Sequence, residues 1–219
     1  MTAEYGPDGS HAARPVTVVS ANIVHGGRIL VGVRRRTPLA LRFPGVLSTP
    51  TIRVPPAVFA LLTGAYEVPR GECGTWAVAG APVLVGHSGH PRSVDGFVLD
   101  ELLSRKLGLA GALVEDRFEA TAVPRHLALD RVSDPLGTER AEWTAMLSYG
   151  IRVDRGWDEV PESTESYSRL VWAPVDRLPD ALARKDALHV DDTLDPFEVC
   201  IDGLCMRLAA ALIASRSFV

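Results

Sequence analysis

The chain is poor in the residues and segments that several protein classes need. Its three cysteines, Cys73, Cys200 and Cys205, match no zinc-ligand spacing, so neither a disulfide framework nor a structural zinc site is expected. It also lacks any run of about 18 apolar residues, and a membrane-spanning helix is therefore not predicted. Lysine is scarce too. Lys106 and Lys185 are the only lysines among the 23 basic residues.

The balance of charge argues against a nucleic-acid partner. Lysine and arginine total 23 and aspartate and glutamate total 27, which gives a net charge of -4. Such a chain has no global positive field to hold a phosphate backbone or an anionic membrane. Near the N-terminus, Glu4 and Asp8 stand where a signal peptide needs basic and then apolar residues. We therefore expect a cytoplasmic protein without nucleic-acid or membrane partners.

The composition, 47% hydrophobic and 23% charged, suits one compact globular domain. Residues 1–14 are polar and show no apolar periodicity, so we expect a disordered N-terminal segment. Residues 15–219 are predicted to form a single α+β domain that ends in a helix beginning at about Pro196. The predicted buried face of that helix consists of Phe197, Ile201, Leu204, Leu208, Leu212 and Ile213.

Local patterns place the other elements. Residues 16–36 alternate apolar and polar side chains around Gly26 and Gly27, which predicts a hairpin ending in Arg34, Arg35 and Arg36, with Arg35 on the opposite face from its two neighbours. The proline-rich residues 37–56 predict a loop with short edge strands. The clearest helix begins at Ser93 or Asp95 and ends at Gly108. Further strands are predicted at residues 75–80, 82–86, 117–127 and 142–153, and through Trp172.

The order of these elements resembles the Nudix superfamily. A strand ending in a basic run, a Pro-Gly loop, an amphipathic helix ending in Leu-Gly-Leu, a strand and a closing W-x-P-x-x-x-L segment follow one another over residues 16–182. The resemblance implies an α/β/α sandwich around a mixed β-sheet. It also implies an activity, because most members of the family use a divalent metal ion to cleave nucleoside diphosphates linked to another group.

The family's sequence box, G-x5-E-x7-R-E-U-x-E-E-x-G-U with U a bulky aliphatic residue, is only partly kept. The structural positions are held by Leu103, Gly108 and Leu109. The catalytic positions differ: Glu101 replaces the arginine, Leu102 replaces the first helical glutamate, and Arg105 and Lys106 replace the paired glutamates that bind metal. The resemblance therefore implies the fold more strongly than the activity.

Two registers remain open for the first half of the box. Ungapped counting places His87 at the family glycine and Ser93 at its glutamate. Alternatively, residues 49–56 resemble the Pro-Gly-Gly turn, and residues from about 58 to 94 are then an insertion. The matching positions in that second register are Pro50, Arg53, Val54 and Pro56. The metal-binding acids are missing in both registers.

The positive charges of Arg105 and Lys106 determine which function is expected. Cleavage of a pyrophosphate requires Mg²⁺ held by several carboxylates, and Arg105 and Lys106 would repel that ion. We therefore expect no metal site, no cofactor and no standard hydrolysis. Because cations bind phosphate directly, we expect a small phosphorylated, nucleotide-like ligand. The candidate ligand-binding residues are Arg34, Arg36, Arg53 and Arg105.

Two alternatives stay open. In the first, the chain is a divergent hydrolase that uses Mg²⁺, and its candidate carboxylates are Asp100, Glu101, Glu162 and Glu165. In the second, it is an interaction domain whose C-terminal helix packs on a partner through Leu204, Leu208 and Leu212; a homodimer is also left open. The hydrolase needs at least two acids converging on the helix face that bears Glu101, whereas the binding protein needs a basic cleft that joins Arg34 or Arg36 to Arg105.

Overall fold

A computed structural model describes residues 15–35, 45–64, 66, 73–86, 93–132, 142–194, 199, 201 and 203–215. Within these residues the chain has a mixed α/β structure with one nine-stranded mixed sheet and five α-helices, consistent with the predicted α+β class. Residues 1–14, Arg36, His87, Pro196 and Phe197, on which predictions were made, lie outside the described residues. No helix in the described part of the chain is long and apolar enough to cross a membrane.

The elements are numbered in chain order. The strands are β1 (Val16–His25), β2 (Arg28–Arg34), β3 (Leu47–Ser48), β4 (Thr51–Arg53), β5 (Gly74–Ala77), β6 (Val83–Val85), β7 (Glu119–Val132), β8 (Glu142–Arg155) and β9 (Tyr167–Pro174). The helices are α1 (Pro56–Thr63), α2 (Val94–Leu107), α3 (Ala110–Val114), α4 (Leu178–Arg184) and α5 (Leu204–Ala214).

The predicted hairpin is present but pairs only beside its turn. Gly26 and Gly27 have φ values of 54° and 72°, which glycine adopts without steric cost. The strands β1 and β2 pair at Val24 with Ile29 and at His25 with Arg28. Farther from the turn, β1 pairs with β4 and β2 pairs with β3.

The strands β3 and β4 therefore fill the gap where β1 and β2 separate. They were predicted as short edge strands, and in the described part of the chain each pairs with one strand only, β3 with β2 and β4 with β1. The physical reason for their placement is that buried backbone groups of the diverging strands need hydrogen-bond partners. The segment after β3 supplies one of them, because the Ala21 amide donates to the Pro50 carbonyl at 2.9 Å. The Thr17 hydroxyl also donates to the Val54 carbonyl at 2.6 Å.

The helix α2 forms where the sequence predicts it. The Ser93 hydroxyl accepts a hydrogen bond from the Gly96 amide at 3.1 Å, so Ser93 is the N-cap. Gly108 ends the helix in the left-handed conformation with φ 69°. Asp95, the other predicted cap, instead accepts a hydrogen bond from the Tyr149 hydroxyl on β8. Burial is the largest cause that raises the pKa of the Tyr149 hydroxyl, and this hydrogen bond to Asp95 raises it further.

The helices pack on the two faces of the sheet. One hydrophobic core lies under α1, α2 and α3 and includes Leu99, Leu103 and Leu147. A second core lies under α4 and α5 and includes Val31, Leu178 and Leu208. The alternation of side chains along β1 and β2 supplies both cores, because successive residues point to opposite faces.

The C-terminal helix differs from its prediction in two ways. It begins at Leu204 rather than at about Pro196, and Ile201 is buried ahead of it. Its apolar face is also already covered by the chain's own sheet, since Leu204, Leu208 and Leu212 are at most 4% exposed. The apolar stripe is therefore part of the core. This corrects the alternative in which these leucines pack on a partner.

We expect Leu208→Ala to lower the free energy of unfolding by about 2 to 5 kcal/mol, because it leaves a cavity in the second core. Chemical denaturation at two protein concentrations measures this loss and shows whether it is independent of association. Ala211→Ser, on the exposed side of the same helix, is the control and should change stability little. An unchanged stability of the Leu208 variant would contradict the packing of α5.

Candidate functional site

An open cavity of about 460 Å³ lies between the C-terminal end of α2 and residues 161–166. Its lining residues are Ser104, Arg105, Lys106, Gly108, Pro161, Ser163, Thr164, Glu165 and Ser166. Two cations and four hydroxyl groups thus face one space, together with a single carboxylate. These are the two cations that the predicted alignment places at the paired glutamates of the sequence box.

Lys106 is the most constrained cation of this cavity. Its side chain is half-buried, and its ammonium group donates to the Ser166 hydroxyl at 3.3 Å. Burial lowers the pKa of Lys106, and the positive charges of Arg34 and Arg105 lower it further. Among the residues that the structure describes, Lys106 forms no ion pair. A positive charge is therefore held in the cavity wall without an ion-pair partner in the described part of the chain.

Arg34 and Arg105 flank this lysine and are held differently. The Arg34 guanidinium donates from Nε to the Ser48 hydroxyl at 3.1 Å and from Nη2 to the Thr51 hydroxyl at 2.9 Å, which fixes it at the end of β2. Arg105 is exposed and pairs with Glu101, one helical turn earlier, at 3.2 Å. Exposed pairs of this kind contribute little to stability. Arg105 can therefore turn from Glu101 toward a bound anion at small cost.

The wall opposite α2 is organised by Thr164. Its hydroxyl donates to the Lys106 carbonyl at 2.9 Å, which satisfies one of the free carbonyl groups at the helix end. The same oxygen accepts hydrogen bonds from the Ser166 and Tyr167 amides at 3.2 and 3.1 Å. One side chain therefore joins the end of α2 to the turn that leads into β9, and so sets the width of the cavity.

Arg35 supports this wall from behind, a role that the sequence did not reveal. Its guanidinium donates to the Thr164 carbonyl from Nε at 3.1 Å and from Nη2 at 2.8 Å, and Nη2 also reaches the Tyr167 carbonyl at 3.3 Å. The backbone of Arg35 adds a bond from its amide to the Ser166 carbonyl at 3.0 Å. The sequence shows the arginine run. It does not show the contacts of Arg35, because these are made with residues about 130 positions away and produce no local sequence pattern.

The candidate carboxylates are distributed over different surroundings. Asp100 is buried, and its carboxylate accepts a hydrogen bond from the Gly86 amide at 3.1 Å. Glu101 pairs with Arg105. Glu162 and Glu165 are exposed, and of these two Glu165 lines the cavity. Within the described residues, no group of three or more His, Cys, Asp and Glu side chains is placed to hold a metal ion.

The structure brings only some of the candidate ligand-binding residues together. Arg34 and Arg105 both act on the charge of Lys106. Arg53 is exposed on β4, where it lies opposite Val18 of β1. Lys106 was not among the ligand-binding residues predicted from the sequence, although the basic groups at this place were considered as direct phosphate ligands, and the structure places it in the cavity lining.

The arrangement is suited to binding an anion. Cations supply the attraction, and the hydroxyl groups of Ser104, Ser163 and Ser166 can donate to anionic oxygens. The C-terminal end of a helix is favourable for cations, so the dipole of α2 stabilises Arg105 and Lys106 before any ligand binds.

Comparisons with known proteins do not assign the chain to a family. No family model matches the sequence, and no curated protein matches it. The function must therefore be inferred from the residues of the site.

We expect Thr164→Val to lower the free energy of unfolding by about 1 to 3 kcal/mol. The substitution keeps the shape of the side chain but leaves the Lys106 carbonyl and two amides without their partner. Thermal or chemical denaturation measures the loss. Ser163→Ala, which removes an exposed hydroxyl from the neighbouring position, is the matched control, and equal effects of the two substitutions would count against the role of Thr164.

Proposed function

We propose that this chain binds a phosphorylated, nucleotide-like ligand in the cavity at the end of α2 and does so without standard metal-dependent hydrolysis. The phosphate group contacts Lys106 and Arg105, and Arg34 adds its positive charge from the end of β2. The hydroxyl groups of the 161–166 wall donate to the remaining phosphate oxygens.

The observation that carries this proposal is the gathering of like charges around Lys106. Burial and two neighbouring guanidinium groups both disfavour the charged ammonium. Both effects cost free energy, because like charges repel and the buried group loses hydration. An anionic ligand removes this cost, because it is attracted by all three cations at once.

The proposed fold is a Nudix-like α/β/α sandwich. Its support is the order of elements, the Leu-Gly-Leu end of α2 and the two groups of helices on opposite faces of the sheet. The proposed loss of standard hydrolysis has separate support, because Arg105 and Lys106 stand where a divalent ion would need carboxylates.

Calorimetric titration with pyrophosphate and with ADP tests this function. We expect Arg105→Ala to weaken binding by about tenfold or more, since a charge-assisted contact to phosphate is lost. The matched control is Arg152→Ala, because Arg152 is also exposed, pairs with the nearby Asp154 at 3.0 Å and does not line the cavity. An equal loss in both variants, or no binding to the wild-type chain, would overturn the proposal.

Removal of divalent metal provides a further prediction. We expect pyrophosphate to bind in EDTA without Mg²⁺, because the cations of the site are side chains. The divergent hydrolase remains the alternative, favoured by the single observation that Glu165 lines the same cavity. Product analysis by anion-exchange chromatography separates the two, since Mg²⁺-dependent release of phosphate that Glu165→Gln abolishes would establish the hydrolase instead.

A further inference from the structure

The surroundings of Lys106 are those of a reactive amine as well as those of a binding cation. Its amine lies in the wall of a cavity large enough for a small ligand, and its one hydrogen bond, to the Ser166 hydroxyl, fixes the direction of the nitrogen. It forms no ion pair with any residue in the described part of the chain. A carboxylate partner would favour the protonated nitrogen.

We propose that the Lys106 amine forms an imine with phosphorylated aldehydes or ketones that enter this cavity. The inference rests on the proposed function, because a phosphate group held by Arg105, with the positive charge of Arg34 nearby, brings the carbonyl carbon to the nitrogen. It names the ligand class more narrowly, as a small compound that carries both a phosphate and a carbonyl group.

The step is balanced without any further reactant. The lone pair of the neutral Lys106 nitrogen attacks the carbonyl carbon, and a C–N bond forms. Both hydrogens of the amine pass to the carbonyl oxygen, which leaves as water, and the C=N bond remains. No oxidant or reductant takes part, and hydrolysis of the imine restores the lysine.

Electrostatics favours this reaction at Lys106. Burial and the charges of Arg34 and Arg105 lower the pKa of the amine, which increases the neutral fraction that can act as a nucleophile. The same guanidinium groups attract the phosphate. The two effects therefore come from one cluster of charges, and neither requires a metal ion.

The composition of the chain supplies an internal control. Lys185 is the other lysine. It is exposed, follows α4 with φ 55°, and does not line the cavity. Any general reactivity of exposed amines should therefore appear at Lys185 as well as at Lys106.

Pyridoxal 5′-phosphate, a phosphorylated aldehyde, is the probe for the test. The full-length chain is incubated with it, reduced with borohydride to fix the imine, and digested for peptide mass mapping. We expect the adduct at Lys106 to exceed that at Lys185 by at least about tenfold. We also expect excess pyrophosphate to suppress it, and pyridoxal without phosphate to label Lys106 much less. Lys185→Arg should leave the Lys106 adduct unchanged, whereas Lys106→Arg should abolish it.

The outcomes separate this inference from the proposed function. If the wild-type chain binds pyrophosphate in the calorimeter but Lys106 is labelled no more than Lys185, the imine is overturned and the binding function stands. If Lys106 is labelled equally by pyridoxal and by its phosphate, and pyrophosphate does not compete, guidance of the carbonyl by a bound phosphate is overturned. The wild-type peptide map alone decides these cases, so a poorly folded variant does not affect them.

Discussion

The parallel pairing of β1 with β8 is the interaction on which the rest of the structure depends. It joins Val16–Val24 to Thr144–Arg152 along nine residue pairs that are far apart in the sequence. Both hydrophobic cores lie on its two faces, one under α2 and the other under α5. A parallel pair cannot be closed by a tight turn, so the intervening chain has to cross the sheet, and in doing so it lays α2 against one face.

The position of α2 then determines the character of the site. Its C-terminal end brings Arg105 and Lys106 to the turn before β9, where the Thr164 hydroxyl donates a hydrogen bond to the Lys106 carbonyl. The helix dipole favours cations at this end, but burial and the approach of Arg34 oppose the charge of Lys106. The favourable and unfavourable electrostatic contributions thus act on the same Lys106 ammonium group. The negative charge of the proposed ligand offsets the unfavourable ones.

Local chemistry determined which features could be predicted from the sequence. The Gly26-Gly27 turn and the Ser93 and Gly108 ends of α2 each depend on neighbouring residues, and they were predicted where the structure has them. The placement of β3 and β4 between the hairpin strands could not be predicted, because it follows from the divergence of β1 and β2 in three dimensions. The contacts of Arg35 with the Thr164 wall were also missed, since a guanidinium that binds distant carbonyl groups leaves no periodic pattern.

The central claim is that side-chain cations, rather than a metal ion, hold a phosphate group at the end of α2. The most direct measurement is a crystal structure of the protein grown with pyrophosphate in the presence of EDTA. We expect phosphate oxygens within hydrogen-bond distance of the Lys106 ammonium, with Arg105 turned from Glu101 toward the ligand. A pyrophosphate bound away from Lys106, or one that enters the cavity only with a divalent ion held by Glu165, would contradict it.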